Sequence, residues 1–312
     1  MTMPLADQPL VILNPAANRG MVKHYRDAAQ AYLRQEPAEY IETTTRGQAC
    51  TLAKLAAQQH RPVVVIGGDG IVNEAASGIL MAGVSVPLGI VPAGSGNDFA
   101  CRTLNLSTDP HEAMATAMHG ECATVDAGMV NGRYFVNSFS VGLDGDITHA
   151  AERLRRYPLM SGWVLYYAST LRQLFFGYGR CPWMKISLDD ISLSNDEMRH
   201  YVLAAITNGP TYGAGFRINP TANCADGLFD ICTATYTPWL RALALLPKVQ
   251  QGKHGGEREI AFNHAQHVHI ESRQPVNGQL DGELITASIY DVHLLPQSLS
   301  VRVNPGFSPA TS

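Results

Sequence analysis

Four consecutive apolar residues with branched side chains, Val63-Val64-Val65-Ile66, run directly into Gly67-Gly68-Asp69-Gly70. An uninterrupted β-branched run has no polar face to offer to water, so it belongs to a strand covered on both sides. Such strands occur in parallel sheets sandwiched between helices. The flanking sequence keeps that rhythm. Leu10-Val11-Ile12-Leu13 reads as a buried strand ending at Asn14-Pro15, residues 21–35 as a helix, and Glu39–Thr43 as a second strand. Gly47–His60 follows as a helix with Leu52, Leu55 and Ala56 at helical spacing. A third helix is expected from Val72 to Met81, and Leu88-Gly89-Ile90-Val91 is the next strand. These segments predict an α/β domain with a parallel sheet over residues 1–124, closing near Gly120–Val125.

Past that point the pattern changes. Val125–Val130 and Tyr134–Val141 flank Asn131-Gly132, a residue pair that favours a tight hairpin. Further strand-like runs fall at Met184–Leu188, His200–Thr207, Leu228–Thr235, Val268–Glu271 and Leu284–Leu294. Many strands separated by turn residues predict a mainly antiparallel β-sandwich over 125–297, with helices inserted at Ser161–Phe176 and Thr237–Gln250. The last apolar run, Leu299–Val303, fits either domain, so 298–312 can complete the first. A chain of 312 residues is longer than one core usually supports, in keeping with two domains.

Composition removes several function classes. Hydrophobic content of 46% against 16% charged residues is the reverse of what disorder requires. A net charge of −4 leaves no general basic surface for nucleic acid. The six cysteines are scattered without a CxxC pair, which reads as buried free thiols in a reducing compartment. Met1–Pro9 lacks the apolar core of a signal peptide, and Trp163–Phe176 is interrupted by Arg172 and Gln173, too short and polar to span a bilayer. The expectation is a soluble, cytoplasmic protein.

Glycines after a buried strand let backbone N–H groups approach phosphate oxygens, and the following helix N-terminus adds partial positive charge. Asp69 would repel a phosphate alone but suits a Mg²⁺ ion that neutralises phosphates. On its own the segment is equally a plain strand-to-helix turn. Two further loops shift the balance. Pro92-Ala93-Gly94-Ser95-Gly96-Asn97-Asp98 ends the next strand, and Asn14-Pro15-Ala16-Ala17-Asn18 ends the first. Carboxyl ends of neighbouring parallel strands line one crevice, where ligands bind. Neither the GK[ST] nor the GxGxxG spacing of the common nucleotide motifs is present.

Gly67–Glu74 (GGDGIVNE), Pro92–Asp98 (PAGSGND) and Gln279-Leu280-Asp281-Gly282-Glu283 together resemble the diacylglycerol kinase catalytic family, in particular its bacterial soluble lipid kinases, relatives of sphingosine and ceramide kinases. The likeness extends to Tyr134–Asn137, Thr207–Gly209, Gly213–Pro220 and Ala225–Asp230, nearly the whole chain. It implies an NAD kinase/diacylglycerol kinase-like α/β domain and transfer of the γ-phosphoryl of ATP to a lipid hydroxyl such as that of diacylglycerol, in a cleft between the domains. It also implies an ATP site formed by Asn14, Pro15, Ala16, Ala17, Asn18, Thr43, Gly67, Gly68, Asp69, Gly70, Ile71, Val72, Asn73 and Ser95, with Asn97 and Asp98 in the adjoining loop. Two positions depart from the family pattern: Ile71 stands where Thr is usual, and the first loop reads NPAAN in place of NPxSG.

Transfer to an alcohol requires a carboxylate to take the hydroxyl proton. Asp281 and Glu283 would share one face if their segment were extended. Read from the residues alone, Asp281-Gly282 is a hairpin turn; the resemblance implies that Glu283 is the base, with Asp281 binding Mg²⁺ or sharing the task. Asp226 likewise reads alone as part of a turn, and the resemblance implies a structural Mg²⁺ held by Asp226 with backbone oxygens of Asn223 and Leu228. His264, His267 and His269 read as exposed strand histidines with no carboxylate nearby to complete a metal site. Arg153, Arg155 and Arg156 read as a solvated helix face. The alternative is contact with anionic lipid headgroups beside the aromatic residues of Ser161–Phe176, placing the protein peripherally at a membrane surface. A homo-oligomer is left open. Three rival functions are open on the same motifs: a polar-substrate kinase of the NAD kinase type, a non-catalytic nucleotide- or lipid-binding protein of the same fold, and a purely structural or regulatory partner.

Overall fold

The computed structural model describes residues 8–20, 22–154, 168–170, 172–173 and 177–309. The helix expected over Ser161–Phe176 lies largely outside these, as do Arg155, Arg156 and the side chain of Arg153. The chain divides into two compact units, one running to Ala127 and taking back Pro296–Pro309, the other formed by Gly128–Leu295.

In the first unit, β1 (Leu10–Leu13), β2 (Glu39–Glu42), β3 (Val63–Gly67) and β4 (Leu88–Pro92) pair in parallel in the order β2-β1-β3-β4. Val301 of the returning segment adds beyond β4, opposite Leu88. Every residue of β1, β3 and β4 is buried, which is why their sequences carry no alternation. Val11, Leu13, Val64, Ile66 and Val91 pack with Val22 and Ala29 near α1 (Lys23–Leu33) and with Ala113, Met114 and Ala117 of α4 (Pro110–His119). Between them in sequence lie α2 (Gln48–Gln58) and α3 (Asp69–Ala82), packed so closely that a Cβ at Gly78 would meet the Cys50 carbonyl oxygen at 2.2 Å.

Helix α3 starts three residues earlier than the periodicity suggests. Gly68 is extended and Asp69 opens the first turn, where a carboxylate complements the helix dipole. Helix α4 is capped by the Asp109 side chain accepting from the His111 and Glu112 N–H groups, with Pro110 in its first turn.

The second unit is antiparallel. β5 (Glu121–Val130) and β6 (Arg133–Phe135) form the expected hairpin over Asn131-Gly132, both with positive φ. β7 (Ser138–Gly142), β8 (Trp183–Leu188), β9 (Ile191–Ser192), β10 (Arg199–Thr207), β11 (Phe229–Thr235), β12 (Ile260–Ala265), β13 (His267–Leu280) and β14 (Glu283–Val303) follow. Their pairing runs β12-β11-β10-β7-β13-β14, with β8 bridging β10 and β13. One face buries Phe135, Phe139, Phe229, Ile270 and Tyr290. Over β10 and β11, α5 (Leu143–Leu154) and α6 (Trp239–Gln250) cover Val202, Ala205 and Cys232. All six cysteines are free, but only Cys181, Cys224 and Cys232 are buried, and Cys122 is exposed.

Candidate active site

The parallel register brings the three loops of the first unit to one edge. Asn14 donates its N–H to the Ile66 carbonyl, Thr43 to Leu13, and Ala93 to Gly67, so the ends of β1, β2, β3 and β4 continue the ladder into their loops. Asn14 then closes its own turn, its Oδ1 accepting the Ala16 N–H at 3.0 Å. Ala17 is buried, and Asn18 takes a left-handed φ of 44°.

The two glycine loops touch backbone to backbone. A Cβ on Gly94 would lie 2.4 Å from the Gly68 Cα and 2.6 Å from Asn97 Oδ1. The Asn97 side chain holds this loop from within, accepting the Gly94 N–H at 2.9 Å and donating Nδ2 to the Gly94 carbonyl at 3.0 Å. Asp69 links the loops. Its Oδ2 accepts the Asn97 N–H at 2.9 Å and its Oδ1 the Phe99 N–H at 3.4 Å. Burial, together with the neighbouring Asp98, pushes the Asp69 carboxyl up to about 6, against the pull of those backbone donors. Asp98 is itself buried and paired with Arg102 at 3.2 Å. Gly70 and Ser95 are exposed.

Ile71 and Val72 face inward; a Cβ on Gly67 would strike the Ile71 Cγ2 at 2.5 Å. The side chain that replaces the expected hydroxyl is therefore in the core, and at these two positions only the backbone is left to meet a ligand. Asn73 is 5% exposed, and its Oδ1 has no hydrogen-bond partner among the described residues. An unpaired buried amide oxygen is costly unless something fills the position. Backbone amides behind close-packed glycines, a carboxylate with a raised pKa and an orphaned amide oxygen fit nucleotide phosphates with a divalent cation.

In the second unit, Asp281 and Glu283 do not share a face as an extended segment would have them. Leu280 pairs with Glu283, and Asp281-Gly282 is the two-residue turn between β13 and β14, with φ of 44° and 84°. The turn sends the two carboxylates to different partners. Asp281 accepts the N–H groups of Val136 (2.7 Å), Asn137 (3.1 Å) and Ser138 (2.8 Å), fastening the hairpin tip to the β6–β7 link. Glu283, half-buried, meets Arg133 Nη2 at 2.5 Å, while Arg133 Nη1 donates to the Leu284 carbonyl at 3.1 Å. Arg133 carries no local signal of its role in the sequence. It lies 150 residues from Glu283, and no local spacing signals the pair.

The Asn223–Leu228 loop folds on itself. The Leu228 N–H donates to Asp226 Oδ1 at 3.0 Å and the Ala225 N–H to Asn223 Oδ1 at 3.1 Å. Asp226 is exposed. The buried carboxylate beside it is Asp230, raised to about 6 by burial and paired with His264 Nε2 at 3.2 Å.

The second unit also holds an apolar cavity of about 110 Å³, lined by Ile147, Val202, Phe216, Leu245, Leu246 and Ile260 among others. Tyr236, Trp239 and Leu240, around the start of α6, expose apolar surface. Among the described residues no helix is long and apolar enough to cross a membrane.

Comparison with known proteins agrees with this layout. Residues 8–130 match the family described as the diacylglycerol kinase catalytic domain, and residues 137–303 match the YegS C-terminal NAD kinase beta sandwich-like domain. The diacylglycerol kinase of Mycobacterium tuberculosis is 29% identical over 299 residues, covering 93% of each chain. A Pectobacterium atrosepticum protein named as a probable lipid kinase is 30% identical over 248 residues, 78% of each. A solved diacylglycerol kinase structure from Bacillus anthracis superposes with a TM-score of 0.71 at 21% identity, covering 97% of this chain and 98% of that one, a likeness of fold. The chain belongs to the diacylglycerol kinase catalytic family and so to the lipid kinases.

Proposed function

We propose that the chain transfers the γ-phosphoryl of ATP to a lipid hydroxyl such as that of diacylglycerol, with Mg²⁺ as the divalent ion. The observation that carries the proposal is the Gly68–Gly94 backbone contact bridged by Asp69, which leaves the start of α3 open to an anion. Bound ATP with Mg²⁺ supplies the phosphoryl group and offsets its charge during transfer. Asn14–Asn18, Thr43, Gly67–Asn73 and Ser95 would surround the nucleotide. Asp69 would orient the metal, directly or through water. Glu283 would take the hydroxyl proton, and Arg133, in contact with it, would keep it pointed. Asp281, with both oxygens engaged by backbone N–H groups, would hold the hairpin that carries Glu283. The Asn223, Asp226 and Leu228 oxygens would hold a second, structural Mg²⁺.

Exposed Tyr236, Trp239 and Leu240, beside the apolar cavity beneath α6, would meet the lipid surface that presents the substrate. The test is transfer of labelled phosphate from ATP to diacylglycerol in mixed micelles, with NAD as the competing acceptor. Product on the lipid, lost by at least about 100-fold in Glu283→Gln, is expected. Product on NAD alone, or equal rates for parent and Glu283→Gln, would refute the assignment.

A further inference from the structure

On the outer face of the β13–β14 ladder, His267 lies opposite His293 and His269 opposite Asp291. The alternate residues Val268, Ile270 and Val292 are buried, so the polar four point away from the core. Glu271, two residues on from His269, is the carboxylate near in sequence; the strand register delivers a second, Asp291, from 22 residues downstream of His269. His267 Nε2 lies 2.6 Å and His269 Nδ1 3.4 Å from Asp291 Oδ1, and one ligand atom from each of the three residues lies within 4.8 Å of the others. His293 Nε2 approaches the other oxygen, Asp291 Oδ2, at 2.8 Å, and its ring stacks on His267 with centroids 4.4 Å apart. Glu271 Oε1 sits 3.2 Å from His269 Nε2. A proton held there by Glu271 leaves the Nδ1 lone pair aimed at Asp291.

We propose that His267, His269 and Asp291 form a binding site for a divalent transition-metal ion of the zinc class, with His293 steadying the second Asp291 oxygen and Glu271 the far side of His269. Around a tetrahedral zinc ion, ligand atoms about 2.0–2.2 Å from the metal stand roughly 3.3–3.5 Å apart. The His269–Asp291 separation already has that value, and the His267–Asp291 contact reaches it by opening less than about 1 Å. Imidazole nitrogens select zinc-class ions over Mg²⁺, which prefers oxygen ligands and its own water. The site uses no residue of the phosphate loops, nor Glu283. A metal there would clamp β13 to β14 just before the register shift between Glu271 and Val276, stiffening the hairpin that ends at Asp281-Gly282.

The test is zinc titration of the untagged full chain against a chromogenic chelator, with Co²⁺ absorption as a report on ligand geometry. Binding of about one equivalent, visible bands of a low-coordinate Co²⁺ site and a zinc-dependent rise in Tm are expected. His269→Gln and Asp291→Asn should each weaken binding at least about tenfold and remove the Tm rise, and Glu271→Gln should weaken it less. His264→Gln, outside the cluster, should bind like the parent. His267→Gln provides a second ligand variant should Asp291→Asn fold poorly. Absence of zinc binding in the parent, ligand variants that bind as the parent does, or displacement of zinc by equimolar Mg²⁺ would each overturn the proposal.

Discussion

Asp69 is where function and stability pull against each other at a single residue. Its carboxyl is raised to about 6 in the fold, so between about pH 4 and 6 the folded chain holds a proton that the unfolded chain has released. Stability from this residue therefore falls as pH rises through that window and stays low above it. Asp69→Asn should remove the slope, since its amide does not titrate, while its Nδ2 can no longer accept one of the two backbone N–H groups and phosphoryl transfer is lost. Thermal denaturation of both proteins across pH 4–8 checks this, and the difference between them cancels Asp230, also raised to about 6. The DGE carboxylates should separate in the opposite sense. Asp281→Ala strands three backbone N–H groups and should cost about 2–4 kcal/mol. Glu283→Gln should change stability by less than about 1 kcal/mol and yet abolish transfer. Urea denaturation beside the micelle assay distinguishes anchor from base.

At the scale of elements, the glycines of the two loops are not equivalent. Gly94 lies against the Gly68 backbone, which cannot yield as a side chain can, whereas a Cβ on Gly70 meets nothing within 4 Å. Gly94→Ala should therefore destabilise the first unit by about 2 kcal/mol or more and weaken ATP binding. Gly70→Ala should leave the fold within about 0.5 kcal/mol of the parent. Calorimetric ATP titration and denaturation of both variants test the contrast. The sequence displayed the loops because each directly follows a buried strand and carries its own glycine and asparagine signals. It displayed the Asn131-Gly132 hairpin for the same local reason. It could not display what depends on strand register: the left-handed Asp281 that turns its carboxylate away from Glu283, the Arg133 partner, or Asp291 opposite His269. Such pairs are set by tertiary pairing across many residues, and period-two reasoning fails at the one position where the strand becomes a turn.

At the scale of the whole molecule, Pro296–Pro309 belong to the unit that also holds β1. Val301, fully buried, extends the parallel sheet beside Leu88. The Gln297 N–H donates to buried Asp126 at 2.7 Å, Arg302 Nη1 donates to the Gly120 carbonyl at 2.7 Å, and Thr116 Oγ1 donates to Asn304 Oδ1 at 2.8 Å. The Leu299–Val303 run, readable from sequence as fitting either domain, gains its place from these contacts with α4 and the start of β5. Truncation after Leu295 would expose Leu88 and remove the Gln297 N–H from buried Asp126, so it should damage a unit some 170 residues away in sequence. Amide hydrogen exchange on the truncated chain should show protection falling in β1, β3 and β4 by more than it falls in β10, β11 and β12. Val301→Asp in the full-length chain should reproduce that pattern, because a lone carboxylate in an apolar sheet edge costs several kcal/mol with no residue removed. Equal loss of protection in both sets of strands would mean that the two units unfold as one, and that the returning segment completes a single cooperative structure.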